Sequence, residues 1–205
     1  GPPEDHGKPR RRYIIRGGAV MTMDPSMPNK GEWSKADVLI EGKKILAVGP
    51  NLYAGGADEI DARGKIVMPG FVDTHHHQAW TAIRSSIPDS ILIDDGTGTP
   101  SAQQNYYLNI LGALQPTLPG FANHFRPRDV YISELFGGLS QLDAGVTTVL
   151  DISQIHHSPA HSDAVAQALR DTGRRAMLGF FESAGNIPGT QDPTEAPRIS
   201  GKLAG

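Results

Sequence analysis

Two short apolar runs limit what this chain can fold into. "GFVDT" (Gly70 to Thr74) and "VTTVLDI" (Val146 to Ile152) lack the alternation of a strand with one wet face. Such runs suit strands buried on both faces, the setting of a parallel sheet. The segments between and after them carry helix signals. In "RPRDVYISELFGGLSQLDAG", Pro127 sits near a helix start, Tyr131, Leu135, Leu139 and Leu142 share one face, and Gly145 ends it. In "SPAHSDAVAQALRDTG", Ser158 is the N-cap, Pro159 opens the first turn, Val165, Ala168 and Leu169 point inward, and Gly173 closes the helix. "RRAMLGFFES" reads as a third strand. Residues 70–182 thus predict strand, long loop, helix, strand, helix, strand. That is an α/β unit of parallel strands with right-handed crossovers.

The residues ahead of this unit have a different texture. Residues 1–12 are polar, charged and Pro-rich, and predict a disordered leader. Residues 13–68 predict a small all-β unit. Within it, "YIIRGGAVMTMD" reads as two short strands around Gly17-Gly18, and "SMPNKGEW" as loop. "ADVLIEGKKILAVGP" reads as a hairpin turning at Gly42-Lys43. The segment 79–126 is rich in Pro, Gly, Asp and Ser, with one helical patch over Ser101 to Leu114. Loops of this length in compact domains are usually functional or mobile.

Composition removes several chemistries. The 205 residues include no cysteine, which excludes disulfides, thiolate metal sites and Cys nucleophiles. Any metal must be held by His, Asp, Glu or a modified Lys. A net charge of −3 gives no bias toward nucleic acid or anionic membranes, and the basic run Lys8 to Arg12 reads as part of the solvated leader. No apolar run approaches the ~18 residues a membrane span needs, and no signal-peptide core is visible. A cytoplasmic location is the expectation, with Gly1-Pro2 leaving a removed leader open.

Chemistry gathers where the strands end, as it does in parallel α/β folds. The first strand runs into Asp73-Thr74-His75-His76-His77, the second into Asp151 and then His156 and His157, and the third into Glu182. Along an extended segment residues i and i+2 point the same way, so His75 and His77 can converge on one ion while His76 points away. Neutral imidazole suits Zn²⁺, Fe²⁺, Co²⁺ or Ni²⁺. A surface His cluster or an affinity-tag artefact fits poorly with three histidines placed directly after a buried strand.

The stretch "VMPGFVDTHHHQAW" resembles the first barrel strand of the amidohydrolase superfamily: an apolar strand, Pro-Gly-Phe, an Asp, then His-x-His. "LDAGVTTVLD" with the helix after it is similar to the second strand and helix of the branch containing chlorohydrolases and aminohydrolases of nitrogen heterocycles. The resemblance covers about residues 13 to 185. It implies the N-terminal part of a (β/α)8 TIM barrel (69–185), preceded by a β-sandwich segment of a composite domain (13–68) and followed by an irregular tail (186–205). The barrel is incomplete in this chain.

By position, the resemblance makes His75 and His77 the first two ligands of one or two divalent ions, with zinc expected and iron, cobalt or nickel as alternatives. Gln78 and Trp80 fall on the following loop as substrate contacts, with ordinary packing as the alternative for Trp80. Asp73 is expected to brace an imidazole or the strand end. One of His156 and His157 reaches the pocket, or both cap the helix near Ser158; Glu182 is a further pocket candidate. The remaining ligands and the acid/base residues have no matching positions here, so no catalytic residue is assigned and the 205-residue chain alone is expected to be inactive.

The implied activity is metal-dependent hydrolysis of non-peptide carbon–nitrogen bonds in a small-molecule substrate, with segment 79–126 forming part of a lid. The alternatives are C–Cl or ester cleavage on the same centre, or a non-catalytic metal-binding subunit. No nucleic-acid or membrane partner is expected. An isolated three-strand unit exposes apolar faces and an open edge, so a homo-oligomer or association with the missing half is expected.

Overall fold

The computed structural model describes residues 10–86, 121–180 and 194–203. The expected helix over 101–114 and the expected site residue Glu182 lie outside them. The chain divides after Pro69 into two units.

The first unit is a five-stranded sheet in the order β3-β2-β1-β4, with β5 also pairing β1. Its strands are β1 (Arg12–Met21), β2 (Glu32–Glu41), β3 (Lys44–Gly49), β4 (Asp58–Asp61) and β5 (Ile66–Val67). The hairpin of β2 and β3 forms as expected, with Gly42 at a φ of 56° in its turn. β1 differs from expectation: it is one continuous strand, not two. Gly17 adopts a φ of 75° and the register slips on either side of Gly18, so the pair of glycines makes a bulge instead of a turn. Buried Asp37 holds that bulge, accepting hydrogen bonds from the Gly17 N–H at 2.9 Å, the Leu52 N–H at 3.0 Å and Arg16 Nη1 at 3.0 Å.

The second unit is built on three parallel strands in the order β6-β7-β8: β6 (Phe71–His76), β7 (Val146–Ser153) and β8 (Arg175–Phe180). Helix α1 (Pro127–Asp143) joins β6 to β7, and α2 (Pro159–Asp171) joins β7 to β8. This is the expected βαβαβ order. Short 3₁₀ turns occupy Gln78–Ser86 and Phe121–His124. The tail, expected to be irregular, forms helix α3 (Glu195–Leu203). β6 was expected to be buried on both faces, yet Phe71 and Val72 are 56% and 62% exposed. In the described sheet β7 is the central strand and β6 an edge.

Helix α1 turns a different face inward from the one its apolar period predicts. Its buried residues are Val130, Ser133, Glu134, Gly137 and Gly138, while Leu139 is exposed together with Ile132 and Phe136. Small residues win because they let the helix approach closely. A Cβ on Gly138 would collide with Thr172, and one on Gly137 would collide with Thr81 and stand 2.9 Å from Gln78 Cγ. Helix α2 buries Val165, Ala168 and Leu169 as expected. Of these, Val165 and Leu169 join Ala79, Trp80, Ala122, Val130 and Ile155 in one core cluster.

The close approach makes a test. Gly to Ala in a helix interior is ordinarily worth ~1 kcal/mol of stability. Gly137→Ala is expected to destabilise instead, by about 1–3 kcal/mol, because the methyl overpacks the contact with Gln78 and Thr81. Urea denaturation of the full-length protein measures it, through a lower midpoint at unchanged slope.

Candidate metal centre

The end of β6 brings two imidazoles together. Nε2 of His75 and Nε2 of His77 lie 3.3 Å apart, with the rings nearly perpendicular. Two nitrogens bound to a tetrahedral zinc at about 2.0–2.1 Å stand about 3.3 Å from each other, so the spacing fits a divalent ion. The tautomer fits too. His77 Nδ1 is 2.8 Å from the carbonyl oxygen of Ile152. A carbonyl only accepts, so the proton is on Nδ1 and Nε2 keeps its lone pair for a metal. Burial, chiefly, lowers the His77 pKa below the ordinary histidine value and keeps the ring neutral at pH 7. Among the described residues no third His, Cys, Asp or Glu completes a cluster with this pair.

His76 turns elsewhere. Its Nδ1 faces Asp73 Oδ2 at 3.5 Å, and its Nε2 is buried without a partner among the described residues. Asp73 braces the strand end: Oδ1 accepts from the His75 N–H at 3.1 Å, and Oδ2 accepts from Gln141 Nε2 at 2.7 Å. Arg174 in turn donates to Gln141 Oε1, so a polar chain runs from the start of β8 to the backbone of His75.

Gln78, placed by the sequence on a substrate-facing loop, is wholly buried. Its Nε2 donates to the Glu134 carbonyl at 2.7 Å, its Oε1 accepts from Arg174, and its own N–H reaches Asp151 Oδ1 at 3.3 Å. Every polar group of that side chain is committed inside the protein. Trp80 is 4% exposed, in the core and edge-to-face with Phe125 at 5.5 Å, which is the packing alternative. His156 is also buried, with Nδ1 2.9 Å from Ser162 Oγ and its ring stacked on Phe180. His157 Nε2 donates to the Ala122 carbonyl at 2.9 Å. Ser158 begins α2 but bonds His161 Nδ1 at 2.7 Å in place of a backbone cap. The structure therefore brings His75 and His77 together and places Gln78, Trp80 and His156 in packed interiors.

A buried acid pair lies beneath the histidine strand and was not apparent from the sequence. Glu134 of α1 and Asp151 of β7 are both fully buried. Neither Glu134 oxygen nor Asp151 Oδ2 meets a donor among the described residues. Burial first, and then the Asp151 charge, raises Glu134 well above the ordinary carboxyl range; burial raises Asp151 to about 7. Arg174, between Asp151, Glu134 and Asp73, is the nearby cation. The one signal for this pair was a Gly-Gly in mid-helix three residues after a Glu, which marks a face pressed against its neighbours.

Two converging imidazoles end the first strand of a βαβαβ unit, and a small β sheet precedes that unit in the chain. The amidohydrolase family profile matches residues 66–200, and the chain belongs to that family. It is 32% identical over 188 residues to a 5-methylthioadenosine/S-adenosylhomocysteine deaminase of Symbiobacterium thermophilum, covering 90% of this chain and 36% of that one. It is 28% identical to a 5'-deoxyadenosine deaminase of Methanosarcina acetivorans, covering 91% of this chain and 37% of that one. The chain thus spans little more than a third of the length of these curated relatives. Among solved structures it is similar to the zinc complex of atrazine chlorohydrolase from Arthrobacter aurescens, with a TM-score of 0.61, 28% identity, and coverage of 81% of this chain and 35% of that one. The three parallel strands are the opening of a (β/α)8 barrel. No helix among the described residues is long and apolar enough to cross a membrane.

The acid pair has a pH signature. Unfolded Asp and Glu titrate at pH ~4, whereas burial raises both native acids above that range, Asp151 to about 7. The native state binds more protons in that window, so this contribution is complete below pH ~4 and lost as pH rises through the native values. The buried histidines, with lowered pKa values, act in the opposite sense, so a difference measurement is needed. The stability of metal-free full-length protein minus that of its Glu134→Gln variant is expected to fall between pH 5 and pH 8, by up to about 1.4 kcal/mol per unit. Urea titration at each pH measures it, and a flat difference removes the pair as the cause.

Proposed function

We propose that the whole protein is a metal-dependent hydrolase of non-peptide carbon–nitrogen bonds, deaminating an amino-substituted nitrogen heterocycle or cleaving an amide. The observation that carries this reading is the 3.3 Å convergence of His75 and His77 Nε2, with the His77 lone pair freed by Ile152. Those two side chains hold the ion. A divalent ion, zinc in this reading, supplies polarisation of the electrophile and a lowered pKa for water. His77 contributes a neutral, pre-oriented donor atom, and Asp73 keeps the backbone of His75 in place. The ring nearest the pair on the chain, His76, is turned toward Asp73 and takes no part in holding the ion.

The choice of carbon–nitrogen bonds is supported by the names of the curated relatives, which are deaminases of adenosine-type substrates. Likeness to an atrazine chlorohydrolase favours a second reading, C–Cl cleavage on the same ligand pair. Exposed Phe71, Val72 and Met177 on the outer strands support association with the rest of the barrel or with another copy.

In the full-length protein His77→Ala is expected to abolish metal uptake, measured as metal per protein by mass spectrometry, with hydrolytic turnover lost alongside. Unchanged stoichiometry refutes the ligand assignment. The metal-loaded wild type is offered 5'-deoxyadenosine, 5-methylthioadenosine, S-adenosylhomocysteine and atrazine. Ammonia release supports the first reading, and release of chloride alone supports the second.

A further inference from the structure

We propose that Arg174 is a positioning residue for the histidine pair: through Gln141 and Gln78 its guanidinium fixes the chain on both sides of His75 and His77, and so sets the affinity of the pair for a divalent ion. The proposal rests on the reading of His75 and His77 as ligands and deepens it.

The ligand segment needs such a hold because its strand is irregular there. Asp73 pairs with Val149 and His76 with Asp151, so β6 takes three steps where β7 takes two. An extra residue of this kind is a bulge, which leaves one residue outside the ladder and re-aims the side chains around it. His75 has no register partner on β7, and its N–H goes to Asp73 Oδ1 at 3.1 Å. A side chain, not the sheet, holds the backbone at the first ligand.

Arg174, 8% exposed, stands immediately before β8 and reaches this segment by two arms. Its Nη1 donates to Gln141 Oε1, and Gln141 Nε2 donates to Asp73 Oδ2 at 2.7 Å. Its Nη2 donates to Gln78 Oε1, and Gln78 Nε2 donates to the Glu134 carbonyl at 2.7 Å. One arm therefore ends at the N–H of His75, and the other at the residue that follows His77. Donor counting fixes the direction of every bond. A guanidinium only donates, whereas a carboxylate and a carbonyl only accept, so each glutamine amide has one orientation that satisfies both neighbours. The planar fork of arginine holds two amides at a set angle, which the single ammonium of lysine on its flexible stem does not.

The consequence falls on His75. His77 is aimed from β7 by the Ile152 carbonyl at 2.8 Å. The His75 ring makes no hydrogen bond among the described residues other than its 3.3 Å contact with His77. Its aim follows from the backbone that Asp73 and Gln141 hold, and the spacing of the two Nε2 atoms follows from that aim.

The test titrates metal-free full-length protein with Co²⁺, whose visible bands report the geometry of its ligands. Gln141→Met cuts the upstream arm and leaves the Arg174 cation in place, while Arg174→Lys keeps the charge and loses the fork. Each is expected to weaken Co²⁺ binding about 10–100-fold and to shift the visible bands. A merely structural role lowers the urea midpoint of the metal-free protein but leaves the affinity and bands of the folded protein at wild-type values, and that result overturns the proposal. Where Arg174→Lys does not fold, the Gln141 variant decides. If His77→Ala lowers Co²⁺ uptake while Gln141→Met and Arg174→Lys bind as the wild type does, this proposal alone falls. If His77→Ala leaves uptake unchanged, the ligand assignment falls and this proposal falls with it.

Discussion

The histidine strand is held in place by one buried amide. Gln78 directly follows His77, and its three polar groups bind three different elements: the main chain of α1, Arg174 at the entrance to β8, and Asp151 of β7. It is fully buried. A buried donor or acceptor left unmet costs about 1–3 kcal/mol, so the arrangement persists as a set or not at all. Ser133 reinforces it from α1, donating to the Ala79 carbonyl at 2.6 Å and accepting from the Ala82 N–H at 2.9 Å. Ligand geometry at β6 is in this sense a product of helix packing.

Around that amide the charges are arranged so that few of them are free. Arg174 lies among Asp73, Glu134 and Asp151, and its guanidinium is spent on the two glutamines. Burial raises the Glu134 pKa well above the ordinary carboxyl range, which disfavours a second uncompensated carboxylate in the interior. Burial lowers the pKa values of His77 and His156 and favours their neutral form, which is the state that binds metals and accepts hydrogen bonds. One end of the sheet thus presents lone pairs, while the opposing charges are retired beneath it.

Much of this was legible in the sequence where local geometry decides. The i, i+2 rule put His75 and His77 on one side of an extended strand, and non-alternating apolar runs with Pro and Gly at helix ends yielded the βαβαβ order. The reading failed where packing overrode period. In α1, counting apolar residues selected Leu139, whereas Gly137 and Gly138 let the opposite face close on Gln78 and Thr172. Glu134 could not be recognised as interior because a Glu on a helix ordinarily faces water. Gln78 and Trp80 looked like loop residues because their partners lie far away in sequence. Gly17-Gly18 suggested a turn because the Asp37 side chain that stabilises a bulge is supplied by another strand.

The hydrogen bond from His77 to Ile152 spans 75 residues of chain. The two ligands are neighbours in sequence, so a nascent chain has both imidazoles early. It gains the contact that turns one of them the right way only after α1 and most of β7 have been made. Chelation by this pair is a local property, whereas its aim is a long-range one, and a loop closure of that size carries an entropy that the pair alone does not offset. The aim of the pair therefore depends on the docking of the second strand, not on the residues beside it in sequence.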